Sequence, residues 1–230
     1  MTTEKNDQFA GDKKAPMVSP LAKIERSFIQ QNVGKWPSWI ETYHLTLLTI
    51  PWSIITVLCG WLADRQGNLH WLWGSSLMLF LQWFTDAFDG AIGRMRNTGL
   101  IKWGYYMDHF LDFIFMSAVI ASYVFLVEGT VHTLTILLIP LVGAFWVSAF
   151  LHFSCTNSFQ ITQMGMGPTE IRLFFIGVNT AVIFAGPKIL QVSIPYFFGL
   201  IVIMLALVIY KTHKEIWALD MAAKAEAEKK

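Results

Sequence analysis

Residues 85–112 read TDAFDGAIGRMRNTGLIKWGYYMDHFLD and join two apolar segments, each long enough to span a bilayer. Asp86, Asp89, Asp108 and Asp112 fall within 27 residues of this stretch. A carboxylate at the bilayer centre costs about 2.5–3.5 kcal/mol on insertion scales, so four beside one membrane hairpin need a neutralising partner. Two carboxylates about 4 Å apart also repel by about 4 kcal/mol at an effective dielectric of about 20. A divalent metal is the simplest partner. Asp86 and Asp89 are three apart and Asp108 and Asp112 four apart, so each pair occupies one face of its own helix. Two such faces opposed make a cage of hard oxygen ligands suited to Mg²⁺, Mn²⁺ or Ca²⁺, and Mg²⁺ in particular prefers a few carboxylates plus substrate phosphate. Gly90 and Gly104 allow close approach beside each pair, and Arg94, one turn beyond Gly90, could hold a phosphate.

The rest of the chain is built for lipid. Of its 230 residues 54% are hydrophobic and 15% aromatic, with a mean hydropathy of +0.48, too apolar for a soluble domain. The expected fold is all-α: one polytopic domain over residues 42–211 with about six transmembrane helices. The spans are predicted at 42–63, 71–92, 104–127, 132–153, 169–186 and 190–211, with Gly177, Asn179 and Thr180 interrupting the fifth. Lys and Arg are partitioned fifteen to two between alternate sides, which predicts both termini and the Asp-bearing loop in the cytoplasm. Arg172 is counted among the fifteen as the cation of the fourth loop. No cleavable signal is apparent, so the first span is expected to act as its own.

Residues 1–17 read as a disordered tail and 212–230 as a solvated cytoplasmic tail. Between tail and first span, residues 18–36 place Leu21, Ile24, Phe28 and Ile29 at helical spacing, an amphipathic interfacial helix capped by Ser19 and Pro20. A helix packed on the loops is the alternative. Cys59 and Cys155 read as small core residues, and the histidines other than His109 do not cluster.

Asp86-x-x-Asp89-Gly90-x-x-Gly93-Arg94, then nine residues, then Gly104-x-x-x-Asp108-x-x-x-Asp112 resembles the signature of the CDP-alcohol phosphotransferases. The motif covers 86–112 and the architecture most of 20–211. Two departures stand out: Gly93 where the usual form has Ala, and Thr42-Tyr43 where many relatives carry Pro-Asn. The resemblance implies a membrane enzyme that moves an alcohol phosphate from a CDP-alcohol to an acceptor hydroxyl and releases CMP. It further implies Asp86, Asp89, Asp108 and Asp112 as ligands of two metal ions, Mg²⁺ or Mn²⁺, with Gly90, Arg94 and Gly104 at the nucleotide. Arg96 and Lys102 share the loop, where a positive-inside role is as good an account.

His109 directly after Asp108, and Glu170 within Gly167-Pro168-Thr169-Glu170, look similar to the choline and ethanolamine phosphotransferase branch, whose acceptor is diacylglycerol. His109 is then the candidate base, with Asp112 competing, and Glu170 would orient His109 or bind the acceptor hydroxyl. Glu170 reads equally as a helix N-terminal carboxylate satisfying backbone donors. Tyr105 and Tyr106 lie at a depth where a quaternary ammonium would meet aromatic faces. A CDP-diacylglycerol donor with an inositol-phosphate, glycerol-phosphate or serine acceptor is the alternative, although Arg172 alone makes a poor phosphate pocket. An ion-coupled transporter is more remote, since its carboxylates would be spread over several helices. The compact length is usual for bacterial members, which points to a bacterial inner membrane. The family usually forms homodimers, and Gly143, Ala144, Ser148 and Ala149 could allow close helix contact. Membrane lipid is the expected surrounding and no nucleic acid is expected as partner.

Overall fold

The computed structural model describes residues 21–98, 100–156 and 167–229, with no strand among them. The tail at 1–17 and the Ser19–Pro20 cap lie outside the described residues. Eight α-helices follow one another among these residues: α1 (Ala22–Asn32), α2 (Thr42–Leu47), α3 (Thr49–Arg65), α4 (Leu72–Arg96), α5 (Ile101–Val124), α6 (Gly129–Thr156), α7 (Pro168–Ala185) and α8 (Lys188–Ala227). Among the described residues five segments are long and apolar enough to cross a bilayer: Thr42–Arg65, which joins α2 and α3, then α5, α6, α7 and α8. The second of the six expected spans, α4, is 25 residues long but falls outside that set. Its inward face carries Ser75, Ser76, Gln82, Thr85 and Asp89, all buried. At 1.5 Å per residue α8 is about 60 Å long, roughly twice a hydrocarbon core, so the expected tail continues the last span as helix.

Local signals set the helix ends. Pro168 opens α7 with a preset φ, and Glu170 accepts from the Gly167 N–H at 3.1 Å. Gly186, with φ 84°, turns the chain between α7 and α8 in a conformation an L side chain resists. Asn97 ends α4 in the left-handed region, behind Arg94 and Arg96, whose charges suit the negative end of the helix.

Large apolar side chains cover the outside: Phe184 is 79% exposed, Val192 64% and Ile54 63%, a surface that lipid rather than water solvates. Lipid removes the hydrophobic drive between helices, which leaves close packing and interhelical hydrogen bonds. Sequence neighbours α4 and α5 barely touch, because α3 packs extensively against both. Small residues make this possible. A side chain on Gly60 would collide with the Ser122 backbone of α5, and one on Gly74 would lie 2.7 Å from Cys59 Sγ. Phe113 fills the space over Gly143, so that small residue of α6 serves packing within the chain. Asn179, the residue that interrupts the fifth span, points inward. It accepts from Tyr123 Oη at 2.7 Å and donates to Ser76 Oγ at 3.1 Å, tying α7 to α5 and α4.

The amphipathic helix α1 is bound to the bundle as well as surface-facing. Phe28 stacks on Trp83 and meets Phe88 edge-on, while Thr169 donates to Glu25 at 2.7 Å. Arg96 then clasps the segment after α1, donating to the carbonyls of Trp36, Pro37, Ser38 and Ile40. That use explains Arg96 without any ligand.

Gly93 and Thr42, two departures from the resembled pattern, face each other across the α2–α4 contact. A Cβ at 93 would lie 2.7 Å from Thr42 Oγ1, a buried atom without a hydrogen-bond partner. The smaller residue makes room for the hydroxyl. Gly93→Ala is therefore expected to lower thermal stability in detergent by about 1–3 kcal/mol, with most of the loss recovered when Thr42→Ala is added. A double-mutant cycle additive within about 0.5 kcal/mol would show the two positions to be independent. Gly60→Ala should destabilise by a similar amount of about 1–3 kcal/mol with no comparable rescue, since the obstructing atoms are backbone; an unchanged melting temperature would contradict the α3–α5 crossing.

Candidate active site

Asp86 lies on α4, and Asp108 and Asp112 lie one turn apart on α5. Although α3 keeps the bodies of these helices apart, the three carboxylates converge, each offering an oxygen within 4.8 Å of the others. All three are half-buried. Such a set of oxygen donors fits Mg²⁺ or Mn²⁺, which keep room for waters and substrate phosphate oxygens.

Asp89 is placed differently from its three partners. It is buried, and its Oδ2 accepts from Thr46 Oγ1 of α2 at 2.7 Å, while its Oδ1 receives the Gly90 N–H. Three of the four expected ligands thus form the close cluster, with the fourth beside it and oriented by a buried hydroxyl. Arg94 is exposed and folds back over Gly90, where a Cβ would meet Nη1 at 3.2 Å. Gly104 faces open space, one turn before Asp108, and Lys102 is exposed.

Sequence reasoning missed the cation inside the cluster. Arg172 of α7 is buried, with Nη2 2.9 Å from Asp86 Oδ2 and 3.2 Å from Asp112 Oδ1. Its Nε donates to Gln82 Oε1 at 2.5 Å, and Gln82, fully buried on α4, donates through Nε2 to Asp112 Oδ1 at 2.8 Å. A signal was available: Arg172 stands seven residues before Asn179, so both share the inward face of α7. Counting Arg172 as a loop cation hid this, because charge counting ignores the side of the helix.

His109 turns away from the cluster by one helical step. Its Nδ1 lies 2.7 Å from Tyr105 O, and because a carbonyl only accepts, Nδ1 is the donor there; in the neutral ring the lone pair is then on Nε2. The ring packs between Tyr105 and Phe150. It also lines an open-sided cavity of about 1130 Å³ between α5, α6 and α8, whose other walls include Tyr106, Phe113, Trp146 and Ile209. Tyr105 and Tyr106 therefore stand at the cavity beside His109. Glu170 sits at the start of α7 with its carboxylate on two backbone donors, Gly167 N–H at 3.1 Å and Leu21 N–H at 3.4 Å. That engagement follows the helix-terminal role open to it from sequence, and it also ties α1 to α7.

No curated protein and no solved structure matches the chain. The sequence model of the CDP-alcohol phosphatidyltransferase family matches residues 37–212, from the segment clasped by Arg96 to the middle of α8. The match contains every aspartate of the cluster, Arg172 and His109. An integral-membrane helical bundle with an acidic cluster at the α4–α5 junction agrees with it in architecture and in chemistry. On these grounds the chain belongs to the CDP-alcohol phosphatidyltransferase family and is a transferase acting from a CDP-alcohol onto an acceptor.

Proposed function

We propose that the protein transfers the phospho-alcohol of CDP-choline or CDP-ethanolamine to diacylglycerol, releasing CMP and forming a phospholipid. The observation that carries this reading is the position of His109, which borders the carboxylate cluster through Asp108 on one side and the apolar cavity on the other. A lipid acceptor needs an apolar chamber, and a nucleotide diphosphate needs a metal-binding edge. A side chain between them can reach the hydroxyl that joins the two.

Asp86, Asp108 and Asp112, with Asp89 beside them, would hold two divalent ions, and Gly90, Gly104 and Arg94 would face the nucleotide. Bound there, the ions would supply charge neutralisation at the bridging phosphates and at the departing CMP oxygen. Thr46 orients Asp89, and Gln82 and Arg172 orient Asp112. His109 Nε2 accepts the proton of the acceptor hydroxyl as that oxygen forms its bond to the alcohol-bearing phosphorus. The bond from this phosphorus to the bridging oxygen breaks, and CMP leaves with that oxygen. Asp112 is the weaker candidate base because its Oδ1 already receives two protein donors. Glu170 holds the start of α7 and, through it, Arg172 two residues later.

With Arg172 taken up by the carboxylate cluster, the remaining Lys and Arg still divide fourteen to two, which favours both termini and the site on the cytoplasmic side; a bacterial inner membrane and a homodimer are part of the same proposal. A CDP-diacylglycerol donor with a phosphorylated acceptor would need a free basic pocket, whereas Arg172 is engaged by Asp86 and Asp112.

Purified protein in nanodiscs with Mg²⁺ and diacylglycerol is expected to release CMP from CDP-choline or CDP-ethanolamine, and Asp108→Ala is expected to release none. CMP release only from CDP-diacylglycerol with a polyol or serine acceptor would move the chain to the other branch. His109→Gln should lower kcat/KM by about 10²–10⁴-fold and abolish the rise in rate with pH that a neutral imidazole base imposes. A pH profile unchanged in this variant would remove His109 from the base role.

A further inference from the structure

Arg172 and Gln82 lie outside the aspartate motif, yet they bind it from two other positions in the bundle. Arg172 Nη2 reaches Asp86 on α4 and Asp112 on α5, joining the two helices that α3 separates. Gln82 fixes the guanidinium. Its carbonyl oxygen accepts from Arg172 Nε while its amide donates to Asp112 Oδ1, so a flipped amide would face a donor at one end and an acceptor at the wrong end. Both side chains are buried, whereas the carboxylates they hold are half-buried.

We propose that Arg172, held by Gln82, is a positioning residue that sets the divalent-ion affinity of the carboxylate cluster. This rests on the metal reading of the site given above. Without a bound ion, carboxylate oxygens within 4.8 Å of one another repel, and the guanidinium keeps Asp86 and Asp112 converged. With an ion present, the same fixed positive charge opposes the incoming cation and competes for two of the oxygens. The residue therefore trades ion affinity for an assembled site, and the two effects must change in opposite directions when it is removed. A residue that only braced α7 would alter stability and leave ion affinity alone.

The test uses the full chain in nanodiscs: Mn²⁺ binding followed by the electron paramagnetic resonance of the free ion, with thermal unfolding in chelator and in Mn²⁺. Arg172→Gln is expected to bind Mn²⁺ about tenfold more tightly, to melt lower than wild type in chelator, and to gain more from added Mn²⁺. Arg172→Lys, which keeps the charge, should stay near wild type in affinity. Gln82→Met should shift both readouts in the same direction as Arg172→Gln by a smaller amount, and it carries the test if Arg172→Gln does not fold. Unchanged or weaker Mn²⁺ binding in Arg172→Gln, or in Gln82→Met in its place, would overturn the proposal, as would a melting loss equal with and without Mn²⁺. If wild type itself binds no Mn²⁺, the metal reading and this inference fall together. If wild type binds and the variants match it, the inference alone falls.

Discussion

Carboxylates placed at the ends of apolar helices repel one another and lose the water that would screen them, and much of this bundle is arranged around that cost. Asp86 and Asp112 share one guanidinium, and a buried amide holds that guanidinium in place. Asp89 is satisfied separately, by Thr46 and the Gly90 N–H. Each of these partners comes from a different place: α2 for Thr46, α4 for Gln82, α7 for Arg172. The acidic cluster therefore recruits the fold as much as the fold positions the cluster.

That dependence explains the uneven polarity of α4. A helix that must present Gln82, Thr85, Asp86 and Asp89 on consecutive inward turns cannot also be uniformly apolar. It reaches a lipid environment only because α2, α3 and α7 surround it. Packing by small residues does the rest, since lipid supplies no hydrophobic force between helices. Gly60 brings the α3 backbone against that of α5, and Gly93 admits the Thr42 hydroxyl. Asn179 adds a hydrogen-bonded clasp between α4, α5 and α7.

On the other side of α5 the character of the protein changes within one residue. Asp108 faces an ionic cluster, and His109 faces aromatic and aliphatic walls. A helix turns by about 100° per residue, so adjacent side chains address different surroundings without any special backbone. The proposed reaction, between a charged nucleotide and a lipid hydroxyl, calls for such a border, and the geometry of α5 is compatible with it.

The sequence by itself determined the membrane class, the helical content and the aspartate motif, because these follow from hydropathy over about 20 residues and from spacings of three and four on one chain segment. It also placed His109 next to an aspartate of the cluster, since neighbours in sequence are neighbours in space. Only the tertiary structure decided which carboxylates converge and what meets them. Asp86 and Asp112 are brought to Arg172 across 60 residues or more of intervening chain, and Thr46 reaches Asp89 over 43. Glu170 was equally readable as an acceptor-site group or a helix cap, and its bonds to Gly167 and Leu21 depend on where α1 docks. Long-range pairing of this kind has no local spacing to betray it: Arg172 carries the same charge whether it faces a loop or a cluster of aspartates, and helix packing alone decides which.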